Sequence, residues 1–278
     1  MTPPDLEPAP PPPLAAGSTP ATGQWTRLPY RDAPRFDTAR LLAAWPRLHV
    51  GQGLQPPGPG PLAEGWALYH SGEFERAVAV ALKQGHDGLL LANQATAIYA
   101  NYLEPREAVR QALFRQVTER ATAQVSNEPD NYQALYWQAY ALGRYSHGIS
   151  VARALAQGLG SRVKGALERV IELQPAHADA HIALAAFHAD VIDKVGALVG
   201  RMTYGVRAET AIELYERGLQ LNPHSASAMM EYARGLLMLL GDSRRAEATR
   251  LYERAAALEP ADARERLDVE LARAGLAD

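Results

Sequence analysis

Three stretches of this chain superpose on a proline: Ala166-Leu-Glu-Arg-Val-Ile-Glu-Leu-Gln-Pro175, Ile212-Glu-Leu-Tyr-Glu-Arg-Gly-Leu-Gln-Leu-Asn-Pro223 and Thr249-Arg-Leu-Tyr-Glu-Arg-Ala-Ala-Ala-Leu-Glu-Pro260. Eight residues before the proline stand Leu167, Tyr215 and Tyr252; five before it stand Val170, Gly218 and Ala255. Large and small residues thus alternate where two helices must approach closely. After each proline come small or polar residues able to cap a new helix: Ala176-His-Ala-Asp-Ala180, His224-Ser-Ala-Ser-Ala228 and Ala261-Asp-Ala-Arg-Glu265. Asn127-Glu-Pro-Asp-Asn131 has the same form. Two earlier units show the turn inside a helix pair instead, Ser71-Gly-Glu-Phe-Glu-Arg-Ala77 and Tyr102-Leu-Glu-Pro-Arg-Glu-Ala108, with their alanines 31 apart.

In combination, phrases such as HSGEFERAV and YERAAALEPADA resemble the tetratricopeptide repeat (TPR) superfamily, over residues 62–260. The resemblance implies an all-α, TPR-like right-handed α-solenoid of about five helix pairs. It also implies a concave face, built by the first helix of each pair, that holds a peptide or a partner protein. Residues 261–276, with Leu267, Val269, Leu271 and Leu276, read as a C-terminal capping helix.

Fifteen of the 20 prolines lie at or before Pro61, so the first segment is not mostly helical. Residues 1–24 read as a disordered proline-rich tail; its PxxP spacing over Pro8 to Pro13 also fits an SH3-type ligand. Residues 25–61 carry Trp25, Tyr30, Phe36, Leu41, Leu42, Trp45 and Leu48, too apolar for a free tail. They read as a partly ordered arm lying on the first repeat, with a short helix capped by Asp37 and ending before Pro46. Residues 62–278 form the solenoid.

The spacings between the last four prolines are 46, 48 and 37, against about 34 in the repeat family. The excess falls in the turns of two units, at 145–160 and 189–205. Both insertions are apolar and glycine-rich, and a stack sets equivalent positions side by side. They are expected to touch, forming a ledge from Ile149, Leu155, Leu159, Ile192, Val195, Leu198, Val199 and Tyr204. The ledge either extends the core or walls a pocket for a ligand. Paired insertions of this kind are also reminiscent of the periplasmic repeat subunit beside some TRAP transporters and of the eukaryotic microtubule-dynamics regulators.

Carried over from the family, the groove positions fall at Trp66, Tyr69 and His70 in the first unit and at Asn93 and Asn101 in the second. The third offers Gln133, Tyr136, Tyr140 and Arg144, the fourth Asp179, Ile182 and Asp190, and the fifth Met230 and Arg234. With no lysine among them, a clamp for a C-terminal carboxylate of the chaperone-tail type is not expected. Tyr136 and Tyr140 are either rigid anchors for a partner or packing against the next repeat.

The net charge of −3 gives no basic face for nucleic acid. With no cysteine, thiolate chemistry is impossible. Neither a nucleophile elbow nor a phosphate-binding glycine loop occurs, so no enzyme is expected. His177, His181 and His188 offer a weak zinc arrangement without an adjacent glutamate, and neither a metal nor a cofactor is expected. No apolar run spans a bilayer, and no basic stretch followed by an apolar core opens the chain. A cytoplasmic scaffold or adaptor for a protein or peptide is the leading expectation. A small-molecule-binding subunit using the ledge and a structural homo-oligomer are the alternatives.

Overall fold

Each proline-terminated stretch ends a helix because proline supplies no amide donor and forces the residue before it out of helical geometry. Gln174 and Asn222, the residues before Pro175 and Pro223, leave helical geometry, at φ −138° in both cases. New helices then start on side-chain caps: Asn131 accepts from the Ala134 amide, His177 from Ala180 and Ser225 from Ala228.

The computed structural model describes residues 25–277, apart from the side chains of Val151, Ala152 and Leu155. The proline-rich tail and the assignment of Leu155 to the ledge lie outside the described residues. Helix α1 (Thr38–Leu48) belongs to the arm. Five antiparallel-type pairs follow: α2 (Pro61–His70) with α3 (Phe74–Leu82), α4 (Leu89–Tyr102) with α5 (Glu107–Asn127), and α6 (Tyr132–His147) with α8 (Leu159–Leu173). The fourth and fifth are α9 (Ala178–Val195) with α11 (Ala208–Leu221) and α12 (Ala226–Leu240) with α13 (Arg245–Ala256). Short helices α7 (Val151–Ala156) and α10 (Ala197–Tyr204) occupy the two insertions, and α14 (Ala263–Ala277) closes the stack. There is no strand among the described residues, and the architecture is an α-solenoid.

One boundary differs from the sequence expectation. Helix α1 does not end before Pro46 but runs through it to Leu48. Proline removes a single donor, and the turn is still closed by the His49 amide on the Trp45 carbonyl at 3.0 Å. Trp45 is buried and donates through Nε1 to the Leu54 carbonyl, so side-chain packing outweighs the local cost. Asp37 caps this helix through the Arg40 amide, at 2.8 Å.

The ends of the stack meet. Besides packing on α12 and α13, α14 touches α2. Arg47 pairs Glu265 through two bonds of 2.7 and 2.9 Å, His70 pairs Asp262 at 2.6 Å, and the Tyr102 hydroxyl donates to Asp268. The terminal helix is therefore more than a cap on the last pair: it lies against the first repeats.

The core divides inside α9. Ala180 and Leu184 join the cluster built by the N-terminal repeats, while Ile182 and Ala185 join the C-terminal one. First helices of neighbouring pairs pack at α4–α6 and at α9–α12, but α6 and α9 barely touch. That gap positions the site.

Candidate functional site

The front of the concave face is filled by the chain itself. The arm crosses the starts of α6 and α9 and the turn between α11 and α12. Gln133 Nε2 donates to the Gln52 carbonyl at 3.0 Å, the Ala178 amide to Gly51 at 2.7 Å, and Asn222 Nδ2 to Val50 at 3.4 Å. Gly51 has φ +70°, a region L side chains rarely adopt, and an added Cβ would come within 2.5 Å of Ala178 Cβ. Behind the arm stands Arg264 of α14, half-buried beside Asp179 at 3.8 Å, its Nε without a partner among the described residues. A polar cavity of only about 30 Å³ remains there, between Gln52, Tyr69, Asp179 and Arg264.

This overturns an open groove at several expected positions. Trp66, Tyr69, Gln133 and Tyr136 are buried, and so is His70, which binds Asp262. Asn93 is buried as well, and its Oδ1 accepts from Arg120 Nε of α5 at 2.9 Å, so it serves the pair rather than a partner. Asn101 is half-buried. Met230 sits in the C-terminal core cluster, and its neighbours Ser227 and Glu231 face the open space in its place. The physical reason is curvature: the stack bends until its last helix and its arm reach the concave residues of the first repeats.

What stays open is a pocket of about 220 Å³ in the gap between α6 and α9. Helix α6 contributes Tyr140, Gly143 and Arg144; α9 contributes Ala183, Ala186, Phe187 and Asp190; α12 contributes Ser227, Glu231 and Arg234. Helix α8 adds Leu159, Val163 and Leu167, and α10 adds Tyr204. On each helix these residues recur at three- and four-residue spacing, so each helix turns one face inward. The alanines make a low floor and the aliphatic side chains of α8 one wall.

Charged groups bridge over this floor. Arg144 reaches Glu231 at 3.4 Å and lies over the Tyr140 ring, 5.3 Å from its centre. Burial would lower the Arg144 pKa, but Tyr140 and Glu231 outweigh it and raise it. Burial pushes the Tyr140 hydroxyl up, so it stays neutral, and its oxygen accepts from the Arg144 guanidinium. Asp190 pairs Arg234 at 2.9 Å and His147 at 3.2 Å. Burial alone would raise the Asp190 carboxyl; the His147 hydrogen bond and the Arg234 charge hold it below its ordinary value.

The pocket unites two sets of residues that the sequence reading kept apart. Tyr140, Arg144, Asp179, Ile182, Asp190 and Arg234 come from the concave-face set, and Leu159, Val195 and Tyr204 from the insertions. The insertions also touch each other: a Cβ at Gly160 would meet the Tyr204 ring at 2.9 Å. Ile149 instead packs on the N-terminal core, Ile192 is half-buried outside the pocket, and Leu198 and Val199 are exposed. Phe187, Val163, Leu167, Ser227 and Glu231 were missed. The spacing of Ser227, Glu231 and Arg234 on one face of α12 was the available signal.

The three histidines do not converge. His177 caps α9, His181 Nε2 lies 2.9 Å from the Pro175 carbonyl, and His188 Nδ1 accepts from the Arg207 amide at 3.3 Å. Among the described residues no group of three His, Asp or Glu side chains is arranged to hold a metal. No helix among them is long and apolar enough to cross a membrane.

Among solved structures, the chain is similar to a thermophilic TPR protein of Thermus thermophilus. The TM-score is 0.54 and the identity 17%, over 77% of this chain and 97% of that one. At that identity the likeness shows the fold, a TPR-like helical repeat, and not the function. No protein-family model matches the chain, and no curated protein matches it.

Proposed function

We propose that this protein is a non-catalytic binding protein whose ligand site is the pocket between α6, α9 and α12. One observation carries the reading: among the described residues, the widest gap between consecutive first helices coincides with the two insertions, and residues from both line it. Ligand sites are concave, mostly apolar and fitted with a few convergent polar groups, and this pocket has that composition. At about 220 Å³ it is smaller than the ~300–1,000 Å³ of drug-sized sites, so it suits a small molecule rather than a folded partner.

The experiment is a fluorescence titration with the neutral apolar probe N-phenyl-1-naphthylamine. Wild type should bind one probe, and Ala186→Leu, which raises the pocket floor, should lose it while circular dichroism stays unchanged. Undiminished binding in the folded variant would overturn the proposal.

A protein partner is favoured by a different observation. On α10, beside the pocket wall, Leu198, Val199 and Met202 are 72%, 52% and 80% exposed. Adjacent exposed apolar side chains mark contact surfaces. An adaptor contact or a second copy at α10 predicts that Leu198→Glu with Met202→Glu abolishes a dimer or complex seen by light scattering; unchanged mass would remove this reading.

A further inference from the structure

Resting on the pocket reading above, we infer that the ligand is an uncharged aliphatic molecule bearing one hydroxyl, with its chain on the α8 wall and its oxygen held by the Ser227 hydroxyl. The first ground is charge closure. The lining carries the cations Arg144, Lys194 and Arg234 and the anions Asp179, Asp190 and Glu231, and each of them has a partner. Arg144 bonds Glu231 and the Tyr140 hydroxyl oxygen, and it lies over the Tyr140 ring. Asp190 is held by Arg234 and His147, and the Lys194 charge acts on it as well. Asp179 is engaged by Gln52 Nε2 at 3.3 Å and by Arg264. An ion of either sign would enter without a counter-charge or would take a partner from an existing pair. Either event leaves an ionised group desolvated and unpaired, which is costly.

The second ground is what stays unengaged. Leu159, Val163 and Leu167 are buried side chains of one helix whose surfaces still bound the cavity. They call for an apolar chain. Among the serines of the lining, Ser146 donates to the Gly143 carbonyl and Ser225 caps α12. Ser227 is half-buried and makes no hydrogen bond among the described residues. The Tyr204 hydroxyl is also free, but it abuts Gly160 on the insertion side, at the α8 wall. Helix α12 lies across α9 from that wall, so Ser227 stands at the far end of the floor. A serine hydroxyl is neutral, and it both donates and accepts. A second hydroxyl complements it, and the carbon chain behind that hydroxyl covers the alanines and the α8 side chains.

Calorimetric titration at pH 7.5 with octanol, octanoate, octylamine and the zwitterion 8-aminooctanoate tests this. Octanol should bind about tenfold more tightly than each charged compound, the cost of one unpaired group. Ser227→Ala should weaken octanol about fivefold, the value of one neutral hydrogen bond, and Ser227→Thr should retain it. Glu231→Gln opens the pair with Arg144, so octanoate should gain on octanol in that variant. Octanol binding no tighter than any charged compound, with all binding lost in Ala186→Leu, would overturn the neutral class and leave the pocket standing. The same holds if the naphthylamine probe binds and none of these four does. Octanol affinity unmoved by Ser227→Ala would overturn the anchor. Octanol binding that survives in folded Ala186→Leu would overturn the pocket and the ligand together.

Discussion

His70 Nδ1 lies 2.6 Å from Asp262 Oδ2 across 192 residues of chain, joining the first repeat helix to the residue before the last. Both side chains are almost fully buried, 2% and 5% exposed. On the other ring edge, His70 Nε2 meets His49 Nε2 at 3.2 Å, so arm, first repeat and last helix share one cluster. Burial would raise the Asp262 carboxyl, but His70 holds it below its ordinary value.

Asp262→Ala leaves His70 buried without its acceptor and also removes the cap that accepts from the Glu265 amide at 2.7 Å. Breaking a buried pair from one side costs about 3 kcal/mol. Urea unfolding followed by circular dichroism should show a fall of that size, and a loss below ~0.5 kcal/mol would mean that the two ends do not hold each other.

Asp268 opposes the fold at neutral pH. Burial raises its carboxyl from 3.8 to about 6. Between those values the native state binds more protons than the unfolded chain, so this residue's contribution to stability falls as pH rises from about 4 to about 6. Asp268→Asn keeps an acceptor for Tyr102 and removes the buried charge. It should stabilise the protein by about 3 kcal/mol at pH 7.5 and by much less at pH 4, read from urea midpoints at both. Destabilisation at pH 7.5 would contradict the account.

Two histidines act in the opposite sense. Burial lowers His49 to about 3 and His177 to about 4. Below their unfolded value of 6.5 the unfolded chain takes up protons that the native state refuses. Their contribution is complete above pH 6.5 and drains away as pH falls toward 3. His49→Gln should lose less stability than wild type between pH 6.5 and pH 4.5. An identical pH slope in the two proteins would show that His49 is not held neutral.

Gly51→Ala should free the arm. The new Cβ meets Ala178 at 2.5 Å and the backbone sits at positive φ, costs that together amount to about 2 kcal/mol. Limited proteolysis should cut between residues 49 and 60 faster in the variant, while the helical repeats stay intact. Equal cutting rates would mean that the Gly51–Ala178 bond does not hold the arm.

The helix pairs were legible because their signals are local. Proline, small residues and caps at Pro175, Pro223 and Pro260 punctuate helices whatever the rest of the chain does. The two insertions were legible from spacing alone, and Gly160 and Tyr204 do meet. The occupied groove was not legible. It depends on the bend accumulated over five pairs, and no stretch of sequence around Tyr69 or Arg264 encodes how near they come. Met230 shows a finer failure: on α12 the expected Arg234 does line the pocket, but Met230 lies in the core and its neighbour Glu231 takes its place, because on a helix one step of about 100° separates core from cavity.

Hydrogen exchange measured by mass spectrometry, with and without saturating N-phenyl-1-naphthylamine, tests the location of the site most directly. Slower exchange confined to peptides covering Ala139–His147, Ile182–Val195 and Ser225–Arg234 is the predicted result. Protection over α2 and α4, around Trp66 and Asn93, with none in those three stretches would contradict it.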